Sequence, residues 1–349
     1  MVHGGDVYRN IVDYDFSVNL NPLGMPGFLK DELRAFFIST TDFLSLYPDY
    51  EYEKEREGIA SYLNNTLSGD TTVSASDIIP GNGASELIMA CLHALSPDKV
   101  FMPIPVFRGY ERALDGKRVS YYVLDEKKDF AVTEDILDNI PKDAEMIILS
   151  NPNNPTGLLY DPEILEGILK KSRGVPVLLD ECFIEMTDGE SAVHFQDTYP
   201  NLIILRAFTK CFAIPGARVG YAVVKNPSYN LRIRRALPEW NISGMASKII
   251  SVIADHPNEV AAYFKISREL IREEREYLQT ELDKKKIKVY PSDSNYVLIY
   301  YDDPELANKL LEDGMLIRDC SNYTGLGYRY FRIAVSRREQ SDALLRLIF

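Results

Sequence analysis

Cysteine is scarce: Cys91, Cys182, Cys211 and Cys320 are the only four in 349 residues, far apart and in no CxxC or other metal-ligand spacing. That excludes a disulfide scaffold, leaves no structural metal site to expect, and fits reduced thiols in a cytoplasm. Long apolar runs are missing as well. None approaches the roughly 18 residues that a spanning helix needs, so no membrane segment is expected. The opening Met-Val-His-Gly-Gly-Asp lacks a basic stretch leading into an apolar one, so no secretory signal is expected. Positive charge is in deficit, with 39 Lys and Arg against 52 Asp and Glu and a formal net charge of −13. Such a surface repels phosphate backbones and argues against a nucleic-acid partner. The densest basic clusters, Arg232 with Arg234 and Arg235, and Lys284 to Lys286, are short and flanked by helix-like sequence. They read as solvated helix faces. No internal repeat or low-complexity linker interrupts the chain.

The composition that remains, 46% hydrophobic and 26% charged, is ordinary for a soluble globular protein. The chain is long enough for one large core with a smaller domain beside it. From residue 76 to about 225, short apolar runs alternate with helix-period stretches. Candidate strands are Val100–Met102, Tyr121–Leu124, Met146–Ser150, Val175–Asp180, Leu202–Phe208 and Gly220–Val224, with helices at Ser85–Ala94 and Pro162–Lys171. Apolar runs without alternation, separated by helices, predict a mainly parallel sheet covered on both faces. That is a doubly wound α/β domain, in which ligands sit beyond the C-terminal strand ends. After residue 240 a charged helix over Glu259–Lys284 leads to a strand at Asn295–Tyr300, a helix near Pro304–Glu312, a strand at Tyr330–Val335 and a final helix from Arg338. This predicts a smaller α+β domain. The expected boundaries are residues 35–245 for the large domain and 1–34 with 246–349 for the small one, the N-terminal segment lining the cleft between them.

Four segments each supply one part of a site for a phosphate-bearing pyridine. Gly81-Asn82-Gly83-Ala84-Ser85-Glu86 precedes a helix, where glycines let N–H groups approach an anion. The same tripeptide is also an everyday turn. Asn151 to Gly157, with two prolines, follows a strand and either fixes an Asn at the strand end or serves as a rigid connection. Asp180 ends the run Val175 to Leu179, and a carboxylate at the tip of a buried strand is costly unless paired. A protonated pyridine nitrogen is one such partner; an N-cap or an ion pair is another. Thr209 and Lys210 close a further apolar strand, and Arg218 follows shortly. A desolvated lysine amine becomes nucleophilic, while a hydroxyl and a guanidinium together grip a phosphate. In combination and in this chain order, these segments point to one site rather than to four unrelated features.

Together the segments resemble fold-type I pyridoxal 5′-phosphate (PLP) enzymes of the aminotransferase class I/II superfamily, over nearly the whole chain. Within it, the sequence is similar to the threonine-phosphate decarboxylase branch, itself close to histidinol-phosphate aminotransferases. The similarity to that branch lies in His3-Gly4-Gly5, Asp15 to Gly24, Pro105 to Tyr110, Ala213 to Gly216, Ile317 to Tyr323, Gly325-Leu326 and Tyr330 to Val335. The resemblance implies a seven-stranded, mainly parallel sheet between helices in the large domain, and a PLP-dependent carboxy-lyase or aminotransferase. Lys210 would hold the cofactor as a Schiff base, Asp180 would pair with the pyridine nitrogen, Asn154 would bond the ring oxygen, and Phe107 would stack on the ring. The glycine turn at Gly83 with the N–H groups of Ala84 and Ser85, the hydroxyls of Ser85 and Thr209, and Arg218 would bind its phosphate. Tyr47 would reach the cofactor phosphate of a neighbouring subunit, implying a homodimer with shared sites. Asn295 and Arg332 are candidates for the substrate carboxylate, and His3, Asn19 and Arg318 for a substrate phosphate. Aminotransferases of the group usually carry Asp-Glu-Ala-Tyr where this chain has Asp180-Glu181-Cys182-Phe183, so the tyrosine hydroxyl is missing. The implied substrate is a small phosphorylated amino acid or amine, with a place in cobamide synthesis only if it is threonine phosphate.

Overall fold

The computed structural model describes residues 4–67 and 71–348; His3 lies outside them. A two-residue strand, β1 (Tyr14–Asp15), opens the fold. Seven strands then build one sheet: β2 (Ile78–Gly81), β3 (Lys99–Ile104), β4 (Arg118–Val123), β5 (Met146–Ser150), β6 (Val177–Asp180), β7 (Leu202–Ala207) and β8 (Gly220–Val223). Their order is β2-β8-β7-β6-β5-β3-β4. β8 runs antiparallel to both of its neighbours and every other pair is parallel. The fold is therefore α/β with a mostly parallel seven-stranded sheet.

The apolar runs that predicted these strands bury both faces of the sheet. Ile147, Leu149, Val177, Leu179, Leu202 and Ile204 face one core, together with Leu29, Ile249, Ile253 and Phe264 from the helices. Their sequence neighbours Met146, Ile148, Leu178, Ile203 and Leu205 face the other, closed by Leu87, Ile88 and Cys91 of the helix Ala84–Leu95. Each such Leu, Ile or Val contributes about 1.5–3 kcal/mol relative to an exposed side chain. Alternation between two cores explains why the runs are continuous rather than half polar.

A second sheet is formed by β9 (Lys288–Val289), β10 (Tyr296–Tyr300), β12 (Arg318–Asp319) and β13 (Tyr330–Ala334), in the antiparallel order β12-β13-β10-β9. Short β11 (Met315–Leu316) pairs instead with β1 and ties the N-terminal segment to this region. The long helix Pro257–Lys284 spans both units, giving Val260, Phe264 and Ile271 to the large core and Leu278 and Leu282 to the small one. A latch closes the other side: Glu126, just past β4, accepts from Lys288 Nζ at 2.7 Å and from the Tyr290 hydroxyl at 2.5 Å. Those bonds hold the Glu126 carboxyl down near 2. Among the described residues, no helix is long and apolar enough to cross a membrane.

Candidate active site

The C-terminal ends of β3, β5, β6 and β7 lie on one edge of the large sheet, where β2 ends and β8 begins. Because β4 lies outside β3 while β5 lies on its other side, the chain reverses direction between β3 and β5. A crevice forms at such a reversal. Here it opens into a cavity of about 330 Å³. The cavity brings together Asn19, Ala84, Ser85, Phe107, Asn154, Asp180, Thr209, Lys210, Arg218, Arg318 and Arg332, eleven of the residues singled out in the sequence.

Lys210 sits in the single helical turn Phe208–Cys211 that follows β7. Its carbonyl accepts from the Asn21 N–H at 3.1 Å, and the Asn21 side chain donates to Cys211 O and to Ser267 Oγ at 2.9 and 2.7 Å. The N-terminal segment thus fixes the backbone that carries the lysine. Burial, then the positive charge of Arg332 and of Arg218, pushes the Lys210 amine down to about 8. Near neutrality a substantial fraction is the free amine, as nucleophilic or proton-transfer chemistry requires.

Asp180, at the tip of β6, is buried without a cationic side chain in ion-pair contact among the described residues. Its Oδ1 accepts from the Cys182 N–H at 2.9 Å and its Oδ2 from the Tyr110 hydroxyl at 2.5 Å. At the end of the neighbouring strand β5 the Asn151–Gly157 loop is tied down at several points. Asn153 Nδ2 donates to Pro105 O at 3.0 Å, bridging the ends of β3 and β5, and the Tyr296 hydroxyl donates to Asn153 O at 3.0 Å. Asn154 is held by Arg332, whose Nη1 donates to its Oδ1 at 2.5 Å.

Gly83 caps the helix Ala84–Leu95 with φ +80°. A Cβ there would stand 2.5 Å from Arg218 Nη2, so the guanidinium can lie against the helix start only because residue 83 has no side chain. A helix N-terminus, a guanidinium and the Ser85 and Thr209 hydroxyls are groups that could together hold a phosphate.

The small sheet supplies two further guanidiniums. Arg318 of β12 and Arg332 of β13 are directly paired in the antiparallel register, and they are 2% and 6% exposed. Like charges facing each other across a ladder destabilise it, so the arrangement favours an anionic ligand. Arg332 bonds only neutral oxygens, those of Asn154 and, at 2.7 Å, the Ser17 carbonyl, and no ion pair engages it among the described residues. Arg318 donates to Asn322 Oδ1 at 2.7 Å and lies over the Tyr323 ring at 5.1 Å. Beside them, both polar atoms of the buried Asn19 amide are without a partner among the described residues. A ligand with both donors and acceptors would satisfy that amide.

Three of the predicted site residues do not line this cavity. Asn295 is fully buried, and its Nδ2 donates to the Leu20 carbonyl at 3.1 Å, so it supports the N-terminal segment from behind. Gly83 acts through its backbone alone. Tyr47 is 78% exposed and lies tilted against Trp240 with ring centroids 4.5 Å apart, outside the cavity of its own chain. In turn, Gly4, Ser17, Val18, Ile88, Ser150, Cys182, Phe183, Ala207 and Tyr323 join the lining without having been assigned a site role from the sequence. The Tyr110 bond to Asp180 was not foreseen either, since it joins residues 70 positions apart and leaves no local signature.

The sequence matches the family model for aminotransferase class I and II over residues 13–348, and the chain belongs to that family of PLP-dependent enzymes. It is 33% identical to the threonine-phosphate decarboxylase of Salmonella typhimurium over 339 residues, covering 95% of this chain and 89% of that protein. It is also 30% identical to the histidinol-phosphate aminotransferase of Methanococcus aeolicus over 344 residues, covering 95% and 87%. The crystal structure of the histidinol-phosphate aminotransferase from Clostridium acetobutylicum aligns with a TM-score of 0.83 at 28% identity, over 95% of this chain and 97% of that one.

The residues fit the cofactor. A buried carboxylate held only by neutral donors suits a cationic pyridine nitrogen, the helix start at Gly83 with Arg218 suits a phosphate, and a lysine amine near 8 lines the same cavity.

Proposed function

We propose that this enzyme removes the carboxyl group of a small phosphorylated amino acid, O-phospho-L-threonine being the substrate whose charges suit it best. The observation that carries the reading is the buried pair Arg318 and Arg332, two guanidiniums opposed at one cavity. O-phospho-L-threonine presents two anionic groups, a carboxylate and a phosphate, one for each. Histidinol phosphate presents only one. The identity shared with the decarboxylase of Salmonella typhimurium supports the same reaction, as does Phe183, which lines the cavity without a hydroxyl and packs edge-on against Tyr296 at 5.2 Å.

Bound PLP supplies an electron sink to whichever Cα bond stands perpendicular to its ring. Lys210 would hold it by the amine, Asp180 at the pyridine nitrogen, Asn154 at the ring oxygen and Phe107 at the ring face. The backbone at Ala84 and Ser85, with Ser85, Thr209 and Arg218, would hold its phosphate. Arg318 and Arg332 fix the two ends of the substrate and thereby decide which Cα substituent is turned out of plane. For decarboxylation that substituent is the carboxylate. Gly4, Ser17, Val18 and Asn19 line the cavity from the N-terminal side. Lys210, with its amine near 8, is placed to return a proton to Cα after CO₂ leaves.

The test is a substrate panel on the PLP-loaded protein. Release of CO₂ and aminopropanol phosphate from O-phospho-L-threonine without an added 2-oxo acid supports the reading. A second reading, an aminotransferase of the histidinol-phosphate type, draws on the relatives at 30% and 28% identity. It predicts amine transfer from histidinol phosphate to 2-oxoglutarate with no CO₂. In either case Tyr47, exposed and packed against Trp240, is the residue proposed to reach across a homodimer.

A further inference from the structure

The segment after β3 holds a compact device. Phe107 and Tyr110 meet edge to face, with ring centroids 5.6 Å apart and an interplanar angle of 90°. Between them Gly109 leaves space that the Phe107 ring fills: a Cβ at residue 109 would stand 2.2 Å from that ring. Tyr110 itself is fully buried and spends its hydroxyl on Asp180 Oδ2 at 2.5 Å. One side chain therefore touches the two residues assigned to the cofactor ring, bonding the carboxylate and bracing the aromatic face.

The need for this brace follows from the surroundings of Asp180. Its carboxylate is buried and accepts from the Tyr110 hydroxyl, from the Cys182 N–H at 2.9 Å and from the Cys182 thiol. Both Cys182 bonds come from two residues along the same chain. Holding the carboxylate against the rest of the sheet takes a second point on another element. Tyr110 is that second point, delivered from a different strand end, and it registers β3 against β6 across the intervening β5. A phenolic O–H also donates without adding charge, so Asp180 stays acceptor-only toward the cavity while keeping its negative charge for a cationic partner.

We infer that Tyr110 is a positioning residue for cofactor binding: its hydroxyl holds the Asp180 carboxylate, and its ring holds Phe107, in the orientations that grip the pyridine ring from its nitrogen edge and its face. This rests on the reading of Asp180 and Phe107 as cofactor contacts. The hydroxyl and the ring are separable parts. Removing the hydroxyl loosens only the nitrogen-edge contact, whereas crowding at residue 109 displaces only the stacked face.

The test is a set of PLP titrations and of release rates from the holoenzyme, for the wild type, Y110F, D180N, G109A and the double variant Y110F/D180N. Thermal unfolding of each apo-protein checks that it is folded. Y110F is expected to weaken PLP binding roughly tenfold, as loss of a hydrogen bond to a charged group does, mainly through faster release. In the D180N background the same substitution is expected to change the affinity hardly at all, because there is no longer a carboxylate to hold. A tyrosine serving the fold alone would lower the melting temperature in both backgrounds and cost affinity equally in each, and that result overturns the inference. So does a Y110F protein that binds and releases PLP like the wild type while D180N binds it poorly. If D180N itself binds PLP like the wild type, the assignment of Asp180 fails instead. G109A, which acts on Phe107, is expected to weaken binding to the same extent whether or not Asp180 is present; coupling between those two sites would contradict the separation of face from edge.

Discussion

The two walls of the cavity are built on opposite principles. The wall from the large sheet presents single chemical groups at strand ends, Asp180 and Lys210, fixed by a neutral hydrogen bond and a backbone contact, and Asn154, held by the Arg332 guanidinium. The wall from the small sheet presents two buried guanidiniums directly opposed in a ladder, an arrangement that favours a ligand over the empty state. The first wall suits a cofactor common to a whole family. In the proposed reading the second selects what the cofactor acts on. The two meet in the bond from Arg332 to Asn154, through which occupancy of the substrate wall reaches the cofactor wall.

The sharpest break in this contrast is Lys210→Ala. It should lower turnover by at least ~10³-fold, the scale of a lost acid–base and nucleophilic group, while Arg318 and Arg332 remain in place. Steady-state kinetics on the PLP-loaded variant checks it. The same residue has a signature in the protein without cofactor. The Lys210 amine sits near 8 when folded, against about 10.4 in an unfolded chain. Between these values the unfolded state binds the extra proton, so stability should rise as pH increases from 8 to 10.5. The gain is on the order of 3 kcal/mol at most. Urea unfolding of the apo-protein across that range measures it, and Lys210→Met should flatten the slope.

On the substrate wall, Arg332→Ala and Arg318→Ala should each reduce kcat/KM for the phosphorylated substrate about 10²-fold, as removal of a charged bond to substrate does. Retained PLP affinity would separate this wall from the other, with Arg332 showing the larger cofactor effect because it also holds Asn154. Comparison with unphosphorylated L-threonine assigns the two arginines: the variant that no longer distinguishes the two amino acids has lost the phosphate anchor. If both variants turn over the phosphorylated substrate normally, the anchoring idea fails. The smallest effect is expected from Phe183→Tyr. A restored hydroxyl should slow CO₂ release severalfold and raise amine transfer to a 2-oxo acid, measured as the ratio of the two products.

Much of the large-sheet wall was legible in the sequence because strands buried on both faces are written as continuous apolar runs. Met146–Ser150 and the helix Pro162–Lys171 coincide with the structure to the residue. Strand β2 escaped notice because Pro80 and Gly81 punctuate it, which an edge strand tolerates. The helix Gly244–Asp255 was passed over although it was legible: Ala246, Ile249, Ile250 and Ile253 recur at helical spacing behind the Ser243 cap. Lys210, Asp180 and Arg218 could be read from chemistry that is improbable in any other combination. Two features could not. The opposition of Arg318 and Arg332 depends on a register set by β12 and β13, and the support of Asp180 by Tyr110 depends on two strand ends coming together in space. Asn295 shows the reverse limit: a polar residue beside a strand start, expected at the substrate, spends its amide on the Leu20 carbonyl instead.

The most direct measurement is a single turnover of carboxyl-labelled O-phospho-L-threonine on the PLP-loaded enzyme, with no 2-oxo acid present. The account predicts that the label leaves as CO₂ and that aminopropanol phosphate accumulates in equal amount. Label retained in a phosphorylated 2-oxo acid, with the amino group left on the cofactor, would contradict it and make the chain an aminotransferase.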